Sequence, residues 1–140
     1  MTNSRQQDLC QRYLAALESG DKDTVTALFS EDARIHSPLY GVLPADVFYA
    51  ALFADTGTSH TQFIRSFQQS SDGRAIALQF RYRWTLADGS VTEFECADIF
   101  ELAPGNMLFS SLTILYDTAP LRRAFDAVHN RGDAAHKEGA

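Results

Sequence analysis

The chain has 140 residues, 45% of them apolar, with a formal net charge of −6 and a pI near 5.0. That length suits one domain able to bury a core without disulfide or metal staples. The acidic balance argues against a nucleic-acid surface, which needs clustered Lys and Arg, and gives no reason to expect an anionic membrane as partner.

From Met1 to Gln11 the chain is polar, with no apolar stretch of signal-peptide length. No run approaches the roughly 18 apolar residues of a membrane span. A cytoplasmic location is therefore expected. Residues 1–128 read as one domain, and His129 to Ala140 as a polar tail. The spacing of Leu9, Tyr13 and Leu17, flanked by Cys10 and Leu14, predicts a helix from Ser4 to Ser19. Gly20 stops it, and Asp21 caps a short second helix carrying Val25, Leu28 and Phe29. Arg34 to Ser37 reads as a short strand ended by Pro38, and Gly41 to Pro44 as a turn. Pro44 suits the first position of a third helix reaching Phe53 and burying Val47, Phe48, Ala51 and Leu52.

From His60 the hydrophobic period changes from 3.6 to 2, and His60 to Gln69 reads as a strand. Ala75 to Leu86 alternates, with Ile76, Leu78, Phe80, Tyr82, Trp84 and Leu86 on one face. Val91 to Glu101 places Phe94, Cys96, Asp98 and Phe100 together, and Ser110 to Tyr116 does the same for Leu112, Ile114 and Tyr116. Residues opposite each other on paired strands share a face, so paired numbers here must sum to an even value. A two-residue turn at Asp88-Gly89 fails that condition. A three-residue loop, Ala87-Asp88-Gly89 with Gly89 in the left-handed region, meets it. It pairs Leu86 with Ser90, Trp84 with Thr92, Tyr82 with Phe94, and Leu78 with Asp98. It also sets Arg83 against Glu93 and Arg81 against Glu95 on the outer face.

Asp98 is the one carboxylate on the apolar inward face. Burying it unpaired costs several kcal/mol, so it must find a donor or keep its proton. Three readings are open: a sheet twist that returns it to solvent or to a backbone amide, a structural bond to another side chain, or a pocket acid that meets a ligand. Cys10 and Cys96 are far apart in sequence and read as reduced, buried thiols. His36, His60, His129 and His136 form no paired metal motif, and no phosphate loop, dinucleotide fingerprint or nucleophile elbow is present. Action without a cofactor or metal is the expectation.

The run Arg12-Tyr13-Leu14-Ala15-Ala16-Leu17-Glu18-Ser19-Gly20-Asp21, continued by Phe29-Ser30-Glu31-Asp32-Ala33-Arg34-Ile35-His36-Ser37-Pro38, resembles the opening of the SnoaL-like and ketosteroid-isomerase-like families. Gly41, the helix after it, the Asp88-Gly89 hairpin, Asp98 and the closing Leu115-Tyr116-Asp117 fit as well, so the resemblance spans about residues 5–118. It implies the α+β, nuclear-transport-factor-2-like (cystatin-like) cone: three N-terminal helices packed on a curved, mostly antiparallel mixed sheet. In ketosteroid isomerase a tyrosine and a protonated aspartic acid hold the oxyanion while a second aspartate moves the proton. The resemblance sets Tyr13 and Asp98 in the first two places and Ser37 in the third. A serine is too weak a base for that proton near neutral pH. The neighbouring His36 turns to the opposite face.

The resemblance implies a cofactor-free lyase, isomerase or cyclase acting on a small apolar or polyketide-like molecule, with Asp98 as acid/base and Tyr13 its hydrogen-bond donor. The expected pocket takes Phe80, Tyr82 and Trp84 from one strand and Phe94 and Cys96 from the next. Leu112, Ile114 and Tyr116 come from the last strand. Phe29, Ser37, Phe48, Leu52 and His60 complete it, and this aromatic lining suits a flat or ringed guest. The alternative is a non-catalytic ligand-binding or dimerisation module, which the serine at position 37 favours. A protein-trafficking adaptor has no support beyond the fold. Relatives pair through the outer sheet face, so a homodimer is expected, with Ala97, Ile99, Thr113 and Leu115 as its apolar patch.

Overall fold

Amphipathic periodicity accounts for the helices. In the computed structural model, which describes residues 4–105, 107–119, 122–123 and 125–127, helix α1 spans Ser4–Ser19. Its buried stripe is Leu9, Cys10, Tyr13, Leu14 and Leu17. Gly20 follows at φ 67°, a left-handed value that ends the helix at little steric cost. Helix α2 (Lys22–Thr26) is capped by Asp21, whose carboxylate accepts from the Asp23 amide at 3.2 Å. Helix α3 (Ala45–Ala54) buries Ala45, Phe48, Tyr49 and Leu52, spaced i, i+3, i+4, i+7.

The strands are β1 (Phe29–Ser37), β2 (Gly41–Pro44), β3 (Thr56–Gln68), β4 (Ala75–Leu86), β5 (Val91–Leu102) and β6 (Phe109–Leu115). They form one six-stranded sheet in the order β2-β1-β6-β5-β4-β3. Every pairing is antiparallel except β1 with β6. The β4 face expected inward is buried at every even position. Parity also gave the correct register: Tyr82 opposes Phe94, Trp84 opposes Thr92, and Leu78 opposes Asp98. The Leu86 amide donates to the Ser90 carbonyl at 2.8 Å, and Gly89 has φ 91°, as the three-residue loop requires. Arg81 and Glu95 form an ion pair at 3.5 Å on the outer face.

Four expectations are corrected. Phe29 opens β1 and is not the end of α2, because the β1 positions Phe29, Ala33 and Ile35 turn inward and the strand pairs in parallel with β6. Gly41–Pro44 is a strand hydrogen-bonded to β1, and the chain reverses one step earlier, where the Ser37 hydroxyl accepts from the Leu39 and Tyr40 amides. Val47 is 47% exposed while Tyr49 is fully buried, since the stripe of α3 lies one residue further round. A further helical segment, seen at residues 119, 122–123 and 125–127, brings Phe125 against the Tyr40 ring with centroids 5.2 Å apart. The expected tail at 129–140 lies outside the described residues.

On the outer face, cross-strand pairing aligns Phe67, Ala77, Ile99, Thr113, His36 and Val42 in one row. Phe67 is 57% exposed and Ile99 37%. Among the described residues no helix is long and apolar enough to cross a membrane.

Candidate functional site

Strand alternation drives Asp98 inward. It sits on β5 between the buried Cys96 and Phe100, opposite Leu78 of β4 and Ile114 of β6. Only 2% of it is exposed, and its Oδ1 has no hydrogen-bond partner. Burial lifts its pKa well above the ordinary carboxylate value. Burial thus favours its protonated form, in which the group can donate one hydrogen bond.

Asp98 faces a cavity of about 50 Å³. The sheet contributes Phe80, Tyr82, Trp84, Phe94, Cys96 and Ile114, with Tyr116 just beyond β6. Helix α1 adds Tyr13 and Leu17, and α3 adds Phe48 and Leu52. The β1–β2 corner supplies Ser37, Leu39 and Tyr40. Nothing in this lining is cationic, so no protein charge offsets an ionised Asp98. The volume is well below the roughly 150 Å³ that accepts a benzene ring. A larger guest requires the half-buried Leu39, Tyr40, Phe94 and Tyr116 to shift.

Most polar atoms around the cavity are engaged. Tyr13 and Tyr49 share a hydrogen bond between their hydroxyls at 2.8 Å. The Trp84 indole donates to the Thr56 hydroxyl at 2.8 Å. Ser37 spends its oxygen on two backbone amides, so it has little capacity left to act as a base. Tyr40 donates to the Asp55 carboxylate at 2.5 Å, and its ring sits edge-on to both Phe48 and Phe125. Tyr82 differs. It is 6% exposed, and its hydroxyl has no hydrogen-bond partner. Ser59 lies close enough to influence it, yet that serine donates to the Leu17 carbonyl and stands outside bonding geometry to Tyr82. Burial also pushes the Cys10 thiol up to about 11 and raises the Cys96 thiol further, with Asp98 adding to both, so neither is a poised nucleophile.

The structure thus brings Tyr13, Ser37, Phe48, Leu52, Phe80, Tyr82, Trp84, Phe94, Cys96, Asp98, Ile114 and Tyr116 to one cavity. It does not bring Phe29, Leu112 or His60 there. Phe29 packs into the aromatic core, 5.4 Å from Phe109, and Leu112 is fully buried between Ile35 and Phe100. His60 is exposed beside Glu18 and Thr58 in a separate surface hollow, because the register shift between Thr56 and Thr58 puts Ser59 on the buried face and turns His60 outward. Asp98 and Tyr13 are not hydrogen-bonded partners: the Tyr13 hydroxyl goes to Tyr49. Sequence reasoning missed Leu17, Leu39, Tyr40 and Tyr49. The i, i+4 pairing of Tyr49 with Ala45 and Phe53 was the available signal for the last. Among the described residues no cluster of His, Cys, Asp and Glu could hold a metal ion.

Solved structures share this fold. PrhC from Penicillium brasilianum NBRC 6234 superposes with a TM-score of 0.78 at 15% identity, over 94% of this chain and 93% of its own. SalBIII, described as an epoxide hydrolase/cyclase-like enzyme in pyran ring formation in the polyether salinomycin, gives 0.71 at 15% identity, over 84% and 94%. A nuclear-transport-factor-2-like protein of unknown function from Exiguobacterium sp. 255-15 gives 0.65 at 17% identity, over 78% and 98%. The fold is therefore the nuclear-transport-factor-2-like one. Within it, the SnoaL-like domain model matches residues 10–108, and the chain belongs to that family. No curated protein matches the chain in sequence.

Proposed function

We propose that this protein is a cofactor-free isomerase, cyclase or lyase of the SnoaL-like family, with Asp98 as its acid, acting on a small apolar or polyketide-like molecule. The observation that carries the reading is the unpartnered Asp98 oxygen at the wall of an otherwise apolar cavity. A neutral carboxyl there transfers its proton to a substrate oxygen as the bond to that oxygen is polarised or broken. It recovers a proton from the group that is deprotonated in the same turnover. Tyr13 supports it from the cavity lining. The Tyr13 and Tyr49 hydroxyls share one hydrogen bond in which either can donate, so when Tyr49 donates, the Tyr13 proton stays available to the site.

The test is a panel of cyclisable poly-carbonyl compounds and epoxy alcohols, with products followed by mass spectrometry. Turnover by the wild type that falls about 10²–10⁴-fold in Asp98→Asn, with the fold intact, is the expected result for a general acid. Turnover unchanged in that variant overturns the role of Asp98. Binding without turnover supports the second reading, a ligand-binding module without chemistry. The small cavity and Ser37 in the base position, its oxygen already accepting two backbone amides, favour that reading.

We also propose that two copies pair through the outer sheet face. The row containing Phe67 and Ile99, with Leu115 beside it, leaves apolar surface that a second copy of the same face would cover.

A further inference from the structure

The cavity wall has fixed and movable parts. Most of it stands on α1, α3 or the sheet, held by helix or ladder hydrogen bonds. Of the lining residues only Leu39, Tyr40 and Tyr116 lie outside helix and strand, and all three are half-buried. Leu39 and Tyr40 belong to the β1–β2 corner at the edge of the sheet, where β2 pairs with β1 alone. The Ser37 hydroxyl accepts both their amides, at 3.2 and 3.1 Å, so the corner keeps its shape as a unit. Gly41 follows at φ 82°, and a Cβ there would meet nothing within 4 Å, so backbone rotation at this point is unobstructed.

A tertiary hydrogen bond ties this corner to the body of the molecule. The Tyr40 hydroxyl donates to the Asp55 carboxylate at 2.5 Å. Asp55 is itself anchored. It caps the C-terminus of α3, its amide donating to the Ala51 and Leu52 carbonyls at 3.2 and 3.1 Å, and its carbonyl accepts from the Ala87 amide at 2.8 Å. Burial, with the Asp55 bond adding to it, holds the Tyr40 hydroxyl well above its ordinary pKa, so it stays a donor. A hydrogen bond to a carboxylate is stronger than a neutral one. With the corner in place the cavity holds about 50 Å³, too little for a ring. We infer that the β1–β2 corner is a lid over the cavity, hinged at Gly41 and latched by the Tyr40–Asp55 hydrogen bond, and that a guest is admitted when the latch releases. The inference rests on the cavity being a guest site, and not on the role of Asp98 in it.

Such a latch makes every guest bear the cost of opening, because apparent affinity is the intrinsic one reduced by the open fraction. Removing the Tyr40 hydroxyl deletes the bond that breaks on opening and keeps the ring against Phe48 and Phe125. The open fraction, and the affinity with it, should therefore rise. A bond that served only to hold the fold together would leave the variant less stable and no better at binding.

The two cysteines report opening without any guest. Cys96 lines the cavity, whereas Cys10 is fully buried on α1 outside that lining. The full-length chain is treated with methyl methanethiosulfonate, and the modification rate of each thiol is followed by peptide mass spectrometry. In the wild type Cys96 is expected to react faster than Cys10. Tyr40→Phe should speed Cys96 by at least about tenfold, the loss of one hydrogen bond to a charged acceptor, and speed Cys10 far less. Asp55→Asn, which keeps a weaker acceptor, should fall between, and gives the same reading if Tyr40→Phe fails to fold. Benzene, titrated by NMR, should bind Tyr40→Phe more tightly than the wild type by a similar factor. Equal acceleration of both thiols assigns the bond to global stability and overturns the lid, as does an unchanged Cys96 rate. Faster Cys96 modification with benzene bound no better overturns the corner's role in admitting guests. Turnover in the substrate panel, and its loss in Asp98→Asn, judges the acid separately.

Discussion

Asp98 carries a thermodynamic signature that needs no substrate. Its pKa is raised in the folded chain by burial, while in the unfolded chain it titrates near 3.9. The folded state therefore holds the proton more tightly. Its contribution to stability is complete below about pH 4 and is lost as pH rises toward the folded pKa. Relative to Asp98→Asn, the wild type should lose about 1.4 kcal/mol per pH unit through that window and then level off. Denaturant midpoints of both proteins, measured from pH 4 upward, check this; parallel curves would contradict it. The Tyr13–Tyr49 bond makes a second prediction at this scale. Removing either hydroxyl leaves its partner buried and unpaired, so each single Phe variant should cost about 1–2 kcal/mol. The double variant should cost clearly less than the sum, as a double-mutant cycle would show.

Among the elements, the β4–β5 hairpin has the most explicit design. Its loop needs Gly89 at φ 91°, and a Cβ added there would meet nothing within 4 Å. Gly89→Ala therefore pays for backbone strain alone, about 1–2 kcal/mol, readable by thermal denaturation. This hairpin was also the most legible part of the sequence. Period-2 alternation over two long strands, together with the parity condition, fixed both facing and register before any coordinates. It is also why Asp98 stood out: on β5 a carboxylate interrupts the inward run Phe94, Cys96 and Phe100, opposite a β4 face that is apolar at every even position. The shorter elements were harder to read. β1 has two adjacent exposed acids, Glu31 and Asp32, and a register shift between Phe29 and Arg34, so its alternation is broken and only its end reads as strand. β2 is four residues long and half exposed, which leaves no period to detect. The Tyr13–Tyr49 contact joins two helices across the core. It depends on the rotational phase of α3, which an almost wholly apolar helix hides. Ser37 was legible as an unsuitable base, but its two amide bonds were not, since they follow from the tight corner before Gly41.

Helices and sheet enclose a cavity on one face, and the other face carries a row with the exposed apolar Phe67, Ile99 and Val42. The outer row predicts self-association. Phe67→Glu and Ile99→Glu should convert a dimer to a monomer in light scattering, and a wild type that is monomeric at high concentration would contradict pairing through this face. Tyr40 lines the inner cavity and packs edge-on against Phe48 and Phe125, which ties the described residues after β6 to the cavity wall. The proposed proton transfer depends on one neutral acid. Infrared difference spectroscopy of the wild type against Asp98→Asn at pH 7 tests that directly. The account predicts a protonated-carboxyl C=O band, sensitive to D₂O, that is present in the wild type and missing in the variant. A difference spectrum showing only an ionised carboxylate would contradict it.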